Sequence, residues 1–441
     1  MKTAPDIILS ILLTYLSFYI SALFHVPPYS TLIYQPVIAA ESIMHNMSLQ
    51  VSKYPDVYWG KARDDRTGLV THVPQSAYKG YTFFSTSKDQ SAYLVDMDGN
   101  IAHKWQLSYK DIWPNPEHVA NIVPENLRIL SRAQMFPNGD MLAIYTGVGS
   151  TPLGYGLAKV DKNSELIWAY DDAIHHDVEV AQDGTIYTMS HRIRVDEYEG
   201  LHSTKAQPPL YEDYLVILSP DGELIKEVSF LDLFANSQTH KHILEQFRRN
   251  PVGGDTPAGD MTHPNAFELI PDKLVGKLPF LKKGHILVSF RNLSMLAMID
   301  PENEMITWSM YLPARFQHDP RFLSDGTVIL FDNEGHVGPE GRSRVIRVDL
   351  LTSEILWSYA GTIEEPLYSA YHSSVDPLPN GNVLITESLA GRLLEVTSDG
   401  EIAWDYRSIW RVGDNESANE KVPAFYRGRR HDYENVLFLD N

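Results

Sequence analysis

The chain has 441 residues, with 37 basic against 57 acidic side chains and a net charge of −20. So acidic a surface repels phosphate backbones and excludes nucleic acid as a partner. The chain contains no cysteine, which removes disulfides and thiolate metal sites, while 43% hydrophobic and 11% aromatic residues supply a packed core and exclude a disordered chain.

The N-terminus opens with Lys2 and Asp6, then an uncharged run of 18 residues from Ile7 to Phe24, stopped by Pro27-Pro28. This length is short for a membrane span and long for a signal-peptide core, so a cleaved signal and a retained anchor both stay open. Either reading of residues 1–26 predicts export, with a periplasmic or other extracytoplasmic location and, in the second case, membrane anchoring by residues 7–24. Residues 27–75 read as an N-terminal extension, and residues 76–441 as one repetitive domain.

The repeat is a strand–turn–strand phrase: an apolar residue, Asp, two or three turn residues, an apolar residue, then Trp. It runs from Val95-Asp96 to Trp105, from Val160-Asp161 to Trp168, from Ile299-Asp300 to Trp308 and from Val348-Asp349 to Trp357. A sixth copy, Ser398-Asp399-Gly400, ends at Trp404, and the third, Ser219-Pro220-Asp221-Gly222, has Lys226 nearby and no Trp. Asp and Gly suit a tight hairpin turn, and a Trp at one fixed place suits packing between neighbouring sheets. A second turn phrase precedes most hairpins, at Gly139, Gly184, Gly284, Gly326 and Gly381. Trp spacings of 63, 140, 49 and 47 residues, with one Trp missing in the long gap, give one four-stranded unit per repeat. The pattern predicts an all-β fold, a six-bladed β-propeller behind an N-terminal hydrophobic segment. The loosely amphipathic stretch 232–249 predicts a small helical insertion, about 231–260, between the third and fourth units, lying over one face.

The repeat places the histidines. His176 stands eight residues before Gly184, His318 eight before Gly326 and His372 nine before Gly381, while His263 precedes a longer loop reaching Gly284. Four consecutive units therefore start their first strand with His. First strands line the central channel, so these imidazoles are expected to converge at one mouth. Such a ring suits metal binding, anion binding or covalent and acid–base chemistry. His175, without counterparts in other units, is the lesser candidate. Arg291, seven residues past Gly284, reaches the same mouth, and its charge favours an anion over a cation, so no metal and no cofactor is expected there. Asn265 and Asn333 suit contact with substrate oxygen atoms, orientation of an imidazole, or turns.

Gln317-His318-Asp319, Phe331-Asp332-Asn333, His263-Pro264-Asn265, Ser289-Phe290-Arg291, Leu378-Pro379-Asn380-Gly381-Asn382 and the opening Tyr78-Lys79-Gly80-Tyr81 together resemble the bacterial arylsulfate sulfotransferases, in a cysteine-free form with a short N-terminal region. The resemblance spans roughly residues 70–410. It implies an exported six-bladed propeller that moves a sulfuryl group from a phenolic sulfate ester to a phenolic acceptor through a transiently sulfated histidine. That nucleophile would be His318, partnered by His176, His263 and Arg291, with Asn265, Asn333 and His372 beside the substrate. Oligomeric state stays open, a homodimer included. Two other readings compete: a non-catalytic propeller binding a glycan or protein, and a quinone-dependent dehydrogenase-like propeller, which usually has eight blades and needs a metal.

Overall fold

The computed structural model describes residues 54–440 apart from 57, 120–121, 148–153, 197, 199–209, 238, 241, 244–258, 337–341 and 414–419. The apolar run 7–24 therefore lies outside the described residues, and no helix among those described is long and apolar enough to cross a membrane.

Six antiparallel sheets are arranged as blades. Blades two to five each take four consecutive strands, beginning with innermost strands Arg128–Met135, Ile174–Val180, Pro264–Leu269 and His318–Phe322. Blade six begins with Ser374–Pro377 and gains a fifth, outer strand, Gly68–His72. Blade one is completed from the far end of the chain: Phe425–His431 is its innermost strand and pairs with Tyr81–Thr86. This pairing closes the ring. A further two-stranded ribbon joins Trp59–Lys61 to Lys421–Pro423.

Blade strands are apolar on both faces because each sheet is sandwiched between two others, and sheets need both faces covered when neither meets water. Six apolar clusters form, one in each seam between adjacent blades. The period-two alternation of a strand divides its residues between seams. In Met141–Gly147, Met141, Ala143 and Tyr145 face blade one, while Leu142 and Ile144 face blade three.

The repeated hairpins show how the turn phrase works. Asp96 does not itself take positive φ; its Oδ1 accepts from the backbone N–H groups of Asp98 and Asn100, at 2.9 and 2.8 Å. The positive φ belongs to Gly99, at 83°. The Trp of each hairpin then reaches the next blade. Trp105 donates to the carbonyl of Gly139 at 2.8 Å, Trp357 to that of Ser398 at 2.8 Å and Trp404 to that of Met97 at 3.0 Å. Trp168 lies against Gly222, where a Cβ would come within 2.7 Å of the indole. In the blade without a Trp, Lys226 spans the same seam, ion-paired with Glu304 at 2.9 Å. The missing Trp is thus replaced by a long cation, which leaves the repeat intact.

One helix is described at the start of the expected insertion. It covers Phe230–Asn236, capped by the Ser229 side chain, and buries Phe230, Leu231, Leu233 and Phe234 in the seam between blades three and four. Phe230 and Phe234 meet Phe290 edge-on, at 5.7 and 5.1 Å between ring centroids. The described helix is therefore seam packing, because its apolar residues cover so much of its short surface; residues 244–258 lie outside the described residues.

Candidate active site

The innermost strands of blades one to five are interrupted near their starts, while that of blade six, Ser374–Pro377, pairs without a break. Register shifts fall between Leu130 and Arg132, His175 and Val178, Pro264 and Ala266, His318 and Arg321, and Tyr426 and Arg429. A bulge re-aims the side chains beside it. His176, His263 and His372 take φ of 59°, 47° and 58°, and Asp319, next to His318, takes 51°. Left-handed backbone at non-glycine residues is strained and persists where surrounding structure imposes it, commonly at functional sites.

The bulges of blades three to five, with the left-handed turn at His372 and Ser373 in blade six, bring the predicted histidines together. The rings of His176 and His263 lie 4.8 Å apart, and those of His318 and His372 6.5 Å apart. His176 lies within electrostatic reach of His318 as well as of His175 and His263. Arg291 is 5% exposed, its backbone N–H donates to the carbonyl of His263 at 3.0 Å, and its guanidinium lies 4.2 Å over the ring of Phe316.

His318 has a defined tautomer. Its Nδ1 lies 2.8 Å from Oδ1 of Asn333 and 2.9 Å from the carbonyl oxygen of Phe316. The Asn333 amide cannot be turned round, because its Nδ2 donates to the carbonyls of Ser369 at 2.7 Å and His372 at 3.0 Å. Both partners of Nδ1 are acceptors, so Nδ1 carries the proton and Nε2 the lone pair. Burial, then the nearby charge of Arg291 and the ring of His372, pushes the His318 pKa well below the ordinary imidazole value, against the opposing hydrogen bond that its Nδ1–H donates to Asn333. His176 is pushed the same way by burial and then by the imidazoles of His175, His263 and His318.

The two asparagines are orienting groups. Asn333 aims His318, and Asn265, fully buried, donates through Nδ2 to the carbonyl of Gln317 at 2.7 Å, fixing the backbone one residue before His318. Asp319 and Asp332 do not face the His318 ring. Asp319 accepts from Val375 N–H at 3.0 Å and pairs with Arg321 and Arg429. Asp332 accepts from Arg315 N–H at 2.8 Å and pairs with Arg344. His372 lies in an aromatic setting, 5.2 Å from Tyr426 and 5.6 Å from Tyr58 between ring centroids.

Three further groups belong to this mouth. Arg132, 7% exposed, donates through Nε to the carbonyl of His176 at 2.8 Å, and its charge reaches His318. It sits at the blade-two bulge, where the histidine pattern has no histidine, and register alone points to it. Asp260 hydrogen-bonds Nδ1 of His263 from the preceding loop, outside any repeated strand. His175 is 2% exposed, touches Nδ1 of His176 through its own Nδ1 and lies 3.3 Å from Asp213.

Below the mouth the channel is filled by buried ions. Glu179 pairs with Arg321 and Arg427, and Asp177 accepts from Arg427 at 2.6 Å and from the backbone N–H of Phe267 at 3.1 Å. Carboxylates stitch successive blades: Asp177 to Phe267 N–H, Glu268 to Phe322 N–H at 2.5 Å, Asp319 to Val375 N–H, and Asp376 to Arg430 N–H at 2.8 Å.

Among solved structures, the fold is similar to a protein of unknown function from Bacteroides caccae at 12% identity, with a TM-score of 0.46, covering 75% of this chain and 94% of that one. Virginiamycin B lyase from Staphylococcus aureus is also similar, at 12% identity and a TM-score of 0.40, covering 86% and 97%. No curated protein sequence matches the chain. The family profile described as "Arylsulfotransferase (ASST)" matches residues 132–409, more than half of the chain and all the histidine-bearing bulges, and the chain belongs to that family.

Proposed function

We propose that the chain transfers a sulfuryl group from an aryl sulfate ester to a phenolic acceptor in two steps, with His318 as the nucleophile. The observation that carries this reading is the fixed tautomer of His318: a buried, neutral imidazole whose Nε2 holds a lone pair beside Arg291 and Arg132. Such a nitrogen is what covalent catalysis requires.

In the first step the Nε2 lone pair attacks sulfur, an N–S bond forms, and the S–O bond to the aryl group breaks. The departing phenolate takes that electron pair and receives a proton from Nε2 of His263, whose Nδ1 is held by Asp260. The negative sulfuryl oxygens stay close to Arg291 and Arg132 throughout, and a neutral His176 supplies a hydrogen bond. In the second step His263 takes the acceptor's proton, the acceptor oxygen attacks sulfur, and the N–S bond breaks to regenerate His318. Tyr58, Tyr426 and the ring of His372 offer aromatic surface for an aryl group near the nucleophile. A propeller that only binds a ligand has no need of three strained histidines.

Mixing the protein with a nitrophenyl sulfate and digesting it at alkaline pH tests the reading. A sulfuryl-sized mass gain on the peptide carrying His318 is expected; nitrophenol release without any modified peptide overturns the two-step route. Arg291→Ala is expected to slow transfer by about 10²–10³, as removal of one group stabilising developing charge commonly does. The depressed pKa values of His318 and His176 set the pH behaviour. Transfer should persist below pH ~6.5, where an ordinary imidazole gains its proton, and fall only at lower pH. The unfolded chain takes up protons at these two residues below pH ~6.5 while the folded chain does not, so their contribution to stability is present above that pH and declines below it. We also propose that the protein acts outside the cytoplasm; a reporter fused after residue 60 should be active only there.

A further inference from the structure

Blade three carries a second cluster behind the nucleophile site. His191 and Asp213 stand directly opposite each other on neighbouring strands, Ile186–Arg194 and Leu210–Leu218, so their side chains share one face of the sheet. His175 comes to the same place from the innermost strand. The three are 2%, 5% and 5% exposed. Nε2 of His175 lies 3.3 Å and Nδ1 of His191 3.7 Å from the same oxygen, Oδ1 of Asp213, and the ring centroids of the two histidines are 4.4 Å apart. All three ligand atoms fall within 4.8 Å of one another. The buried Nε2 of His175 nevertheless makes no hydrogen bond. Among the described residues, Asp213 is ion-paired only with these two rings.

We propose that His175, His191 and Asp213 bind a divalent first-row metal ion of the zinc class. Two imidazoles and one carboxylate are an ordinary donor set for such an ion, with a fourth position left to water. At metal–ligand bonds of about 2.0–2.2 Å, tetrahedral ligand atoms lie roughly 3.3–3.6 Å apart, close to the 3.3 and 3.7 Å that separate the two nitrogens from Oδ1 of Asp213. The ligands sit on three adjacent strands packed between two other blades, so the site is preformed. It lies beside the channel cluster, where no metal is expected: the charge of Arg291 disfavours a cation near His318, but His175 and His191 are set back from it.

An ion here fixes more than its own ligands. With Nε2 of His175 bound to metal, its remaining proton must sit on Nδ1, which touches Nδ1 of His176. Nδ1 of His176 then accepts, and the His176 proton is held on Nε2, available to a negative oxygen. The ion thus acts as a positioning group for His176, two bonds of influence removed from the reacting sulfur.

The test uses the full chain, free of tags, stripped with a chelator and titrated with Zn²⁺ and with Co²⁺. One equivalent of Zn²⁺ should survive gel filtration, and Co²⁺ should give the visible absorption of a low-symmetry four-coordinate site. His191→Ala and Asp213→Asn should weaken binding by about 100-fold or more, the upper range seen when metal surroundings are altered. His72→Ala, which removes a partly exposed His–Asp pair 4.0 Å apart, should leave it unchanged. Substoichiometric Zn²⁺ binding by the unaltered chain, or full binding by folded His191→Ala protein, overturns the proposal. The unaltered-chain titration decides the matter even if a variant does not fold. No sulfate ester enters these measurements, so metal binding without transfer, or transfer by a chain that takes no metal, separates this inference from the proposed function.

Discussion

Replacing His318 with alanine is expected to abolish both sulfuryl transfer and the sulfated peptide, a loss of about 10⁴-fold or more, since no residual route replaces a covalent nucleophile. His318 is 6% exposed and its ring makes two hydrogen bonds, both from Nδ1, so the change should leave the blade folded while removing the imidazole whose Nε2 lone pair the proposed step uses. Far-ultraviolet circular dichroism checks the fold, and single-turnover release of nitrophenol checks the chemistry. Asn333→Ala should give a milder version of the same defect: the His318 ring loses the acceptor that holds its Nδ1 proton, and the rate falls without loss of substrate affinity. If His318→Ala keeps appreciable transfer while His263→Ala or His176→Ala loses all of it, the nucleophile is one of those residues.

The second large effect concerns stability. Asp319→Ala is expected to cost about 3–5 kcal/mol, the usual consequence of removing one partner from a buried ion network. Asp319 is fully buried and meets Arg321 at 2.7 Å and Arg429 at 3.0 Å, and it accepts from the backbone of the next blade at Val375. Its loss takes a carboxylate from two guanidinium groups and strands one N–H away from water. Burial alone would raise the Asp319 pKa, but Arg321 and Arg429, with Arg132 and Arg427, hold it well below the usual carboxylate range. Its stabilising contribution is therefore complete above the unfolded-state value near pH ~4 and is lost only as acid drives the pH down through the lower folded-state value. Denaturant titration at neutral pH measures the effect. Asp319→Asn should be less damaging, because the amide oxygen still serves Val375. Equal midpoints for Asp319→Ala and the unaltered chain would remove the network from the account of stability.

Six blades were legible because a propeller writes its architecture in short-range chemistry. Each hairpin needs a capping Asp, Ser or Thr and, three or four positions on, a positive-φ residue, Gly99, Gly222 and Gly400 in three turns and Ser164, Glu304 and Ser353 in the others, and each seam needs its Trp or, in blade three, Lys226. The histidines were legible because the bulge recurs in register. Arg132 occupies that register too, but a search for imidazoles passes over it. Asp260 was hidden because it approaches His263 from a loop with no repeat to fix its place. His191 and Asp213 become neighbours only when two strands pair across a loop, and residue spacing does not reveal that. The strand Phe425–His431 was obscured by its own composition, Phe-Tyr-Arg-Gly-Arg-Arg-His, which reads as polar. Its arginines are there to meet Asp177, Glu179, Asp319 and Glu395.

That strand also decides when the molecule becomes whole. Its bond from Arg430 to Thr82 spans 348 residues, so ring closure is among the most non-local contact steps of folding and among the slowest. Until it forms, Tyr81–Thr86 presents a bare apolar edge of the kind that recruits other chains into sheets. The same strand delivers Arg427 and Arg429 to the carboxylates under His318. Protection from aggregation and assembly of the ion network beneath His318 therefore arrive in a single event, and a chain caught short of it would have both a sticky edge and an unfinished channel.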